Sequence, residues 1–145
     1  MSVIGDPSMS HVEVTPEYLI SMARKALSSA YAPYSGICVG AAVSLEDGRI
    51  VTGVNVENAS YGLTICAERA AIFTAVGQGS TRILALALTS NRLQPITPCG
   101  ACRQVLAEFS IPSTQIILDM GSGKAPDVHT LGDLLPLAFG LQQEK

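Results

Sequence analysis

Three cysteines in two short segments, Cys66-Ala67-Glu68 and Pro98-Cys99-Gly100-Ala101-Cys102, constrain this 145-residue chain more than any other feature. Each segment lies where a loop meets an expected helix start, a place where free N–H groups and the positive end of the helix dipole favour a thiolate. Cys99 and Cys102 stand i, i+3, so both sulfurs leave the same side of one helical turn. Two helix starts facing one another can supply three thiolates to a single Zn²⁺. Three protein ligands leave a fourth tetrahedral position for water, the pattern of a catalytic rather than a structural zinc. Zinc lowers the pKa of such a water to about 7. Glu68, two residues after a ligand, is placed to accept the water's proton without ligating the metal.

Other readings of the cysteines are weaker. A Cys-x-x-Cys alone suits a thioredoxin-like redox pair equally well, but the Cys-Ala-Glu segment and the Pro before Cys99 weigh against it. A structural zinc needs a fourth ligand, for which Cys38, His11 and His129 are the candidates. None stands in a metal-ligand spacing, and Cys38, at the start of an expected strand, reads as a buried thiol. Four cysteines in a short secreted chain would suggest two disulfides. Met1–His11, however, has no basic segment followed by a long apolar core, so a cytoplasmic protein with reduced thiols is expected.

Composition narrows the partners. Hydrophobic residues make up 48% and charged residues 14%, against about 25% charge in an average soluble domain. Disorder is excluded by that balance, and part of the apolar surface is expected to be buried between subunits. The net charge of −3, with no basic cluster, argues against nucleic acid as a partner. No apolar run approaches the roughly 20 residues that a membrane span requires.

Residues 1–14 read as a loose tail and 15–145 as one domain. Thr15-Pro16 opens a helix, with Thr as N-cap and Pro at the first helical position, and Leu19, Met22, Ala23, Ala26 and Ala30 form its apolar face. Val39–Leu45 and Ile50–Val56 are strands joined through Glu46-Asp47-Gly48. In the second strand Ile50, Thr52, Val54 and Val56 are expected to face the core, which puts Asn55 and Glu57 together on the other face. After a loop at Asn58–Gly62, Cys66–Val76 reads as a buried helix ended by Gly77. Ile83–Thr89 is a buried strand, Asn91–Pro98 a loop, Gly100–Phe109 a helix and Gln115–Asp119 a strand. A turn at Gly121–Lys124 leads to a short strand around Val128, and Thr130 with Asp133 resembles a capping box for a helix near Leu131–Leu135. The order α-β-β-α-β-α-β-β-α predicts a layered α/β domain with a mixed sheet.

With these residues in view, the chain resembles the small, homotetrameric, three-cysteine zinc cytidine deaminases. The matching stretches run from about residue 15 to 140. They are Tyr31-Ala32-Pro33-Tyr34-Ser35, Val39-Gly40-Ala41-Ala42, Asn55-Val56-Glu57-Asn58-Ala59-Ser60-Tyr61-Gly62, Cys66-Ala67-Glu68-Arg69-Ala70-Ala71, Pro98-Cys99-Gly100-Ala101-Cys102-Arg103-Gln104 and Leu134-Leu135-Pro136. The resemblance implies a three-layer α/β/α fold with a mixed five-stranded sheet, and a homotetramer acting on a small nucleoside. Its reaction would be hydrolytic deamination of cytidine and 2′-deoxycytidine in pyrimidine salvage. It implies that Cys66, Cys99 and Cys102 bind zinc and that Glu68 shuttles the proton to N3 of cytosine and then to the departing ammonia. Asn55 and Glu57 match a ribose-binding pair, the Ala67 N–H would hold the pyrimidine O2, and Arg69 would offset charge. Phe139 corresponds to an aromatic that reaches a neighbouring subunit's pocket.

The chain departs from that pattern at Gly36-Ile37, where the family usually carries Asn-Phe or His-Phe and the Phe lines the base pocket. Ile37 loses the ring's area and stacking geometry. Deamination of another cytosine nucleoside, such as blasticidin S, is therefore the alternative substrate reading. A non-catalytic zinc-stabilised binding module is the alternative from another class.

Overall fold

The computed structural model describes residues 14–141; the expected tail at 1–13, with His11, and residues 142–145 lie outside them. The elements are α1 (Pro16–Ala26), β1 (Val39–Leu45), β2 (Ile50–Val54), α2 (Ala67–Gly77), β3 (Ile83–Ser90), α3 (Gly100–Glu108), β4 (Gln115–Leu118), β5 (Asp127–Thr130) and α4 (Leu131–Leu134). The five strands form one mixed sheet in the order β2-β1-β3-β4-β5, with β3 and β4 parallel and the other neighbours antiparallel. The parallel pair requires a crossover, and α3 provides it.

Two apolar clusters separate three layers. On one face Leu19, Ile20 and Ala23 of α1 lie over Ala42, Ala85, Ala87 and Ile117, with Val14 packed at the margin. On the other, Ala67, Ala71, Ile72 and Ala75 of α2 and Leu106 of α3 cover Ala41, Val43, Leu86, Leu88, Ile116 and Leu118. Two glycines allow the helices to approach. A Cβ on Gly40 would lie 2.3 Å from the Ala23 carbonyl oxygen, and one on Gly53 only 2.4 Å from the Ala71 nitrogen. Backbone of α2 therefore rests directly on β2.

Local signals set the element ends. The Thr15 hydroxyl accepts from the Tyr18 N–H at 3.1 Å, and the Thr130/Asp133 capping box is present in full. The end of α2 differs from expectation. Gly77 is its last helical residue, and the left-handed position is taken by Gly79 at φ +92°. Gly79 N–H bonds to the Val76 carbonyl and Ser80 N–H to the Ala75 carbonyl, which is a Schellman closure.

The β2 facing expectation is also corrected. Val51 packs in the α2 cluster and Gly53 abuts α2, whereas Thr52 and Val56 are exposed and Ile50 borders the α1 cluster. Both faces of this strand meet helices, so alternation does not single out the buried set. β2 itself stops at Val54; Val56 continues only as isolated bridges to Tyr31 and Ile65.

Asp119, just past β4 and 2% exposed, ties three elements together. Its carboxylate accepts from Arg24 Nε at 2.7 Å and Nη2 at 2.5 Å, from Thr89 Oγ1 at 2.7 Å and from the Gly121 N–H at 2.9 Å. Burial pushes this carboxyl up, and the bonds from Arg24, Thr89 and Gly121 overturn that effect, leaving it at about 2.

Two outcomes follow. Asp119→Asn should lower stability by about 2 kcal/mol at neutral pH, the order expected for hydrogen bonds to a charged group. A carboxyl depressed in the folded state stabilises above its unfolded value and loses that contribution as it protonates. The gap between wild type and variant in urea unfolding should therefore close as pH falls from 3.8 towards about 2. A gap that persisted or widened in that range would contradict the assignment. Gly53→Ala should cost about 1–3 kcal/mol through overpacking, with an unchanged denaturation midpoint as the contrary result.

Candidate active site

The bridge between Val56 and Ile65 is made by two backbone bonds of 3.0 Å. It brings the chain back beside the end of β2 immediately before Cys66, which is the N-cap of α2. Cys99 is the N-cap of α3, its sulfur accepting from the Cys102 N–H at 3.5 Å. The two helix starts meet. Cys99 Sγ lies 3.3 Å from Cys102 Sγ and 4.0 Å from Cys66 Sγ, and all three sulfurs fall within 4.8 Å of one another. Tetrahedral zinc with bonds of about 2.3 Å holds its sulfur ligands about 3.8 Å apart, so this donor set fits that ion. Among the described residues no other group of three His, Cys, Asp or Glu comes together in this way.

The surroundings are polarised accordingly. The hydrogen bond from Cys102 draws the Cys66 thiol down to about 5 against the effect of burial, and Arg69, whose Nη2 lies 3.3 Å from Cys66 Sγ, adds to it. Cys102 is pushed upward by its bond to Cys66, by burial and by the Glu68 charge. Zinc deprotonates coordinating thiols outright. Glu68, 5% exposed in the first turn of α2, is raised to about 7, mainly by burial. That value suits a group that must both take and give a proton near neutrality.

The expected substrate residues fall into two groups. Asn55, Glu57, Ala67 and Ile37 gather at this end of the sheet. Asn55 Oδ1 accepts from the Val39 N–H and its Nδ2 donates to the Ile37 carbonyl, both at 2.8 Å. Glu57 accepts from the Tyr34 and Ser35 N–H groups and the Ser35 hydroxyl at 2.9, 3.1 and 2.6 Å, bonds that lower its carboxyl, Ser35 foremost. A cavity of about 400 Å³ opens beside it, lined by Tyr34, Ser35, Glu57, Asn58, Tyr61 and Thr64. Ala67 is fully buried at the first position of α2, where a backbone N–H has no intrahelical acceptor. Phe139 is apart from them. It is 73% exposed, and its carbonyl accepts from Gln104 Nε2. A larger cavity of about 550 Å³, between the start of β3 and the segment after α3, contains none of these residues. Convergent titratable groups locate chemistry better than volume does.

Cys38 is half-buried, not fully buried as expected, and is outside the sulfur cluster; His129 pairs with Asp127 on β5. Arg103, part of the second cysteine stretch, donates from Nε to the Pro98 carbonyl and from Nη1 to the Leu134 carbonyl, both at 2.7 Å. It braces the turn into Cys99. Asn91, which sequence reading passes over as a loop residue, bonds to Gly36 and Cys38.

Residues 13–118 match the family model described as the cytidine and deoxycytidylate deaminase zinc-binding region. The chain belongs to the cytidine deaminase family. It is 45% identical over 123 residues to a cytidine deaminase of Halalkalibacterium halodurans, covering 85% of this chain and 92% of that protein. It is 47% identical over 119 residues to one of Mycobacterium tuberculosis, covering 82% and 85%. The crystal structure of cytidine deaminase from Burkholderia pseudomallei superposes with a TM-score of 0.81 at 46% identity, over 87% of this chain and all of that one. The deaminase α/β fold and its zinc cofactor accordingly apply to this chain, and the sulfur cluster is positioned to hold the ion. No helix of the described residues is long and apolar enough to cross a membrane.

Purified protein should carry one zinc per chain by elemental analysis, and Cys102→Ala should lose most of it. Chelation should lower the melting temperature, because metal-binding energy is also folding energy. Zinc retained at full occupancy in Cys102→Ala would contradict the ligand set.

Proposed function

We propose that the chain is a zinc-dependent hydrolase converting cytidine and 2′-deoxycytidine to uridine and 2′-deoxyuridine with release of ammonia, in pyrimidine salvage. The observation that carries the reading is the buried Glu68 carboxyl, two residues from Cys66, beside three converging sulfurs. Zinc, when held by Cys66, Cys99 and Cys102, supplies a water activated at neutral pH.

Glu68 would take a proton from the attacking water and deliver it to N3 of the cytosine as the C4–O bond forms. It then carries the second proton to the amino group, so that the C4–N bond breaks and ammonia leaves. The Ala67 N–H, at the positive end of α2, donates to the pyrimidine O2. Glu57 has three of its roughly four acceptor positions filled, and the last takes a ribose hydroxyl. Asn55 keeps one Nδ2 proton for the same sugar, the other being held by Ile37. Ile37 packs against the α2 cluster and forms the wall of the base site. Arg69 offsets the excess negative charge of three thiolates over one dication.

Leu137, Phe139 and Leu141 are largely exposed in the single chain. That exposure supports a homotetramer in which Phe139 enters a neighbouring subunit's site. The reading includes a cytoplasmic location and free nucleosides as the partners.

The test is loss of the cytidine absorbance band with stoichiometric ammonia release, with deoxycytidine and blasticidin S run in parallel. Glu68→Gln should keep zinc and fold while losing at least a factor of about 100 in kcat. Turnover of blasticidin S alone would move the substrate, and full activity of Glu68→Gln would remove the mechanism.

A further inference from the structure

Residues 36–38 run into β1 without being part of the sheet, yet four of their six backbone polar groups are taken by side chains of Ser35, Asn55 and Asn91. The ladder shows how. Val39 pairs with Ser90 of β3, and Gly40 with Val54 of β2. Asn91 and Asn55 are therefore the first residues beyond those two pairings. In an extended segment the carbonyl of residue i and the N–H of residue i+2 lie along one edge. Asn55 grips one edge, donating to the Ile37 carbonyl and accepting from the Val39 N–H. Asn91 grips the other, donating to the Gly36 carbonyl at 3.1 Å and accepting from the Cys38 N–H at 2.9 Å. The backbone N–H of Asn91 also donates to the Cys38 carbonyl. Each amide side chain thus does what a neighbouring strand would do, one step past the point where backbone pairing ends.

Gly36 and Arg92 complete the arrangement on the Asn91 side. Gly36 has φ +69°, and a Cβ there would come within 3.1 Å of the Arg92 guanidinium, which lies over the turn. Ile37 falls between the two grips. It shares a face with Val39, two residues on, and packs against the cluster that includes Ala67 at the start of α2. Holding residues 36–39 from both edges fixes where that side chain stands.

We infer that Asn91 is a positioning residue for the substrate site: by extending the sheet through its side chain, it sets the Ile37 wall beside the start of α2. This rests on the deaminase reading of the site. Asn91 also stands at the head of the loop that leads to Pro98 and Cys99, so the same residue fixes the wall and begins the segment that delivers the zinc ligands.

The experiment compares zinc-loaded wild type, Asn91→Ala and Ile116→Val, the last a buried core truncation in β4 that lowers stability away from the site. Amide exchange of residues 36–39 should quicken at least about tenfold in Asn91→Ala, with exchange across 41–45 unchanged. KM for cytidine should rise about tenfold while kcat stays within about threefold, the signature of lost ground-state and transition-state binding alike. Zinc content should stay at the wild-type level. Unchanged exchange at 36–39, an unchanged KM, or an equal KM rise in Ile116→Val would each overturn the inference. A zinc-loaded wild type that leaves cytidine intact would instead sink the deaminase reading and the substrate role with it; the exchange result separately decides whether Asn91 holds the segment.

Discussion

Three thiolates held within 4.8 Å of one another repel strongly, and the rest of the site is organised around cancelling that repulsion. At an effective dielectric of 20, two unit charges 4 Å apart interact by about 4 kcal/mol, so three pairs oppose assembly by about 12 kcal/mol. A helix N-terminus offsets about 0.3–2 kcal/mol per charge. One guanidinium beside three thiolates still leaves a net charge of about −2, and a dication is the group that brings the cluster to neutrality. The same crowding sets the thiols apart: Cys66 is drawn down while Cys102 is driven up. The same crowding of negative charge, added to burial, helps raise Glu68 to about 7. The sulfur cluster and the raised Glu68 carboxyl thus share one electrostatic environment.

Bringing two helix starts to one point is a packing problem, and small residues solve it. Gly53 lets the backbone of α2 lie on β2, and Gly40 does the same for α1 on β1. Alanines at 67, 71 and 75 keep α2 close to the sheet. Arg103 then closes the geometry from the other side, binding the carbonyls of Pro98 and Leu134 so that the turn into Cys99 is braced by the C-terminal helix. Neither Gly53 nor Arg103 touches a sulfur, yet one seats the helix that begins after Cys66 and the other braces the turn into Cys99.

Much of this was legible in sequence because it is local. Thr15-Pro16, the Thr130/Asp133 box and the hairpin at Asp47-Gly48 each carry their own turn or cap chemistry, and Cys66-Ala67-Glu68 with Cys99 and Cys102 carries the donor set. What was not legible depends on contacts between distant segments. The facing of β2 is not marked by its alternation, because the position that rests on α2 is Gly53, which carries no apolar side chain, while Thr52 on the other face is exposed. Gly77 reads as the stop for α2 because a terminal glycine is the usual signal, but the left-handed conformation falls two residues later at Gly79. Asn91, Arg103 through its bond to Leu134, and the Arg24–Asp119 pair give no local pattern, since each acts on backbone or charge far away in sequence.

The polar residues of this charge-poor chain are placed where regular structure stops. Asn55 follows β2, Asn91 follows β3, Asp119 follows β4, and Glu57 holds the turn at Tyr34-Ser35. Irregular backbone near a buried site leaves N–H and carbonyl groups that cost about 1–3 kcal/mol each when unpaired. Side-chain amides and carboxylates satisfy them without adding another strand, which would cover the opening that a substrate needs. A sheet end capped in this way can be rigid and open together. That combination lets the irregular segment 34–38 border the cavity beside Glu57 while side-chain bonds from Glu57, Asn55 and Asn91 hold it, with no further strand laid across the opening.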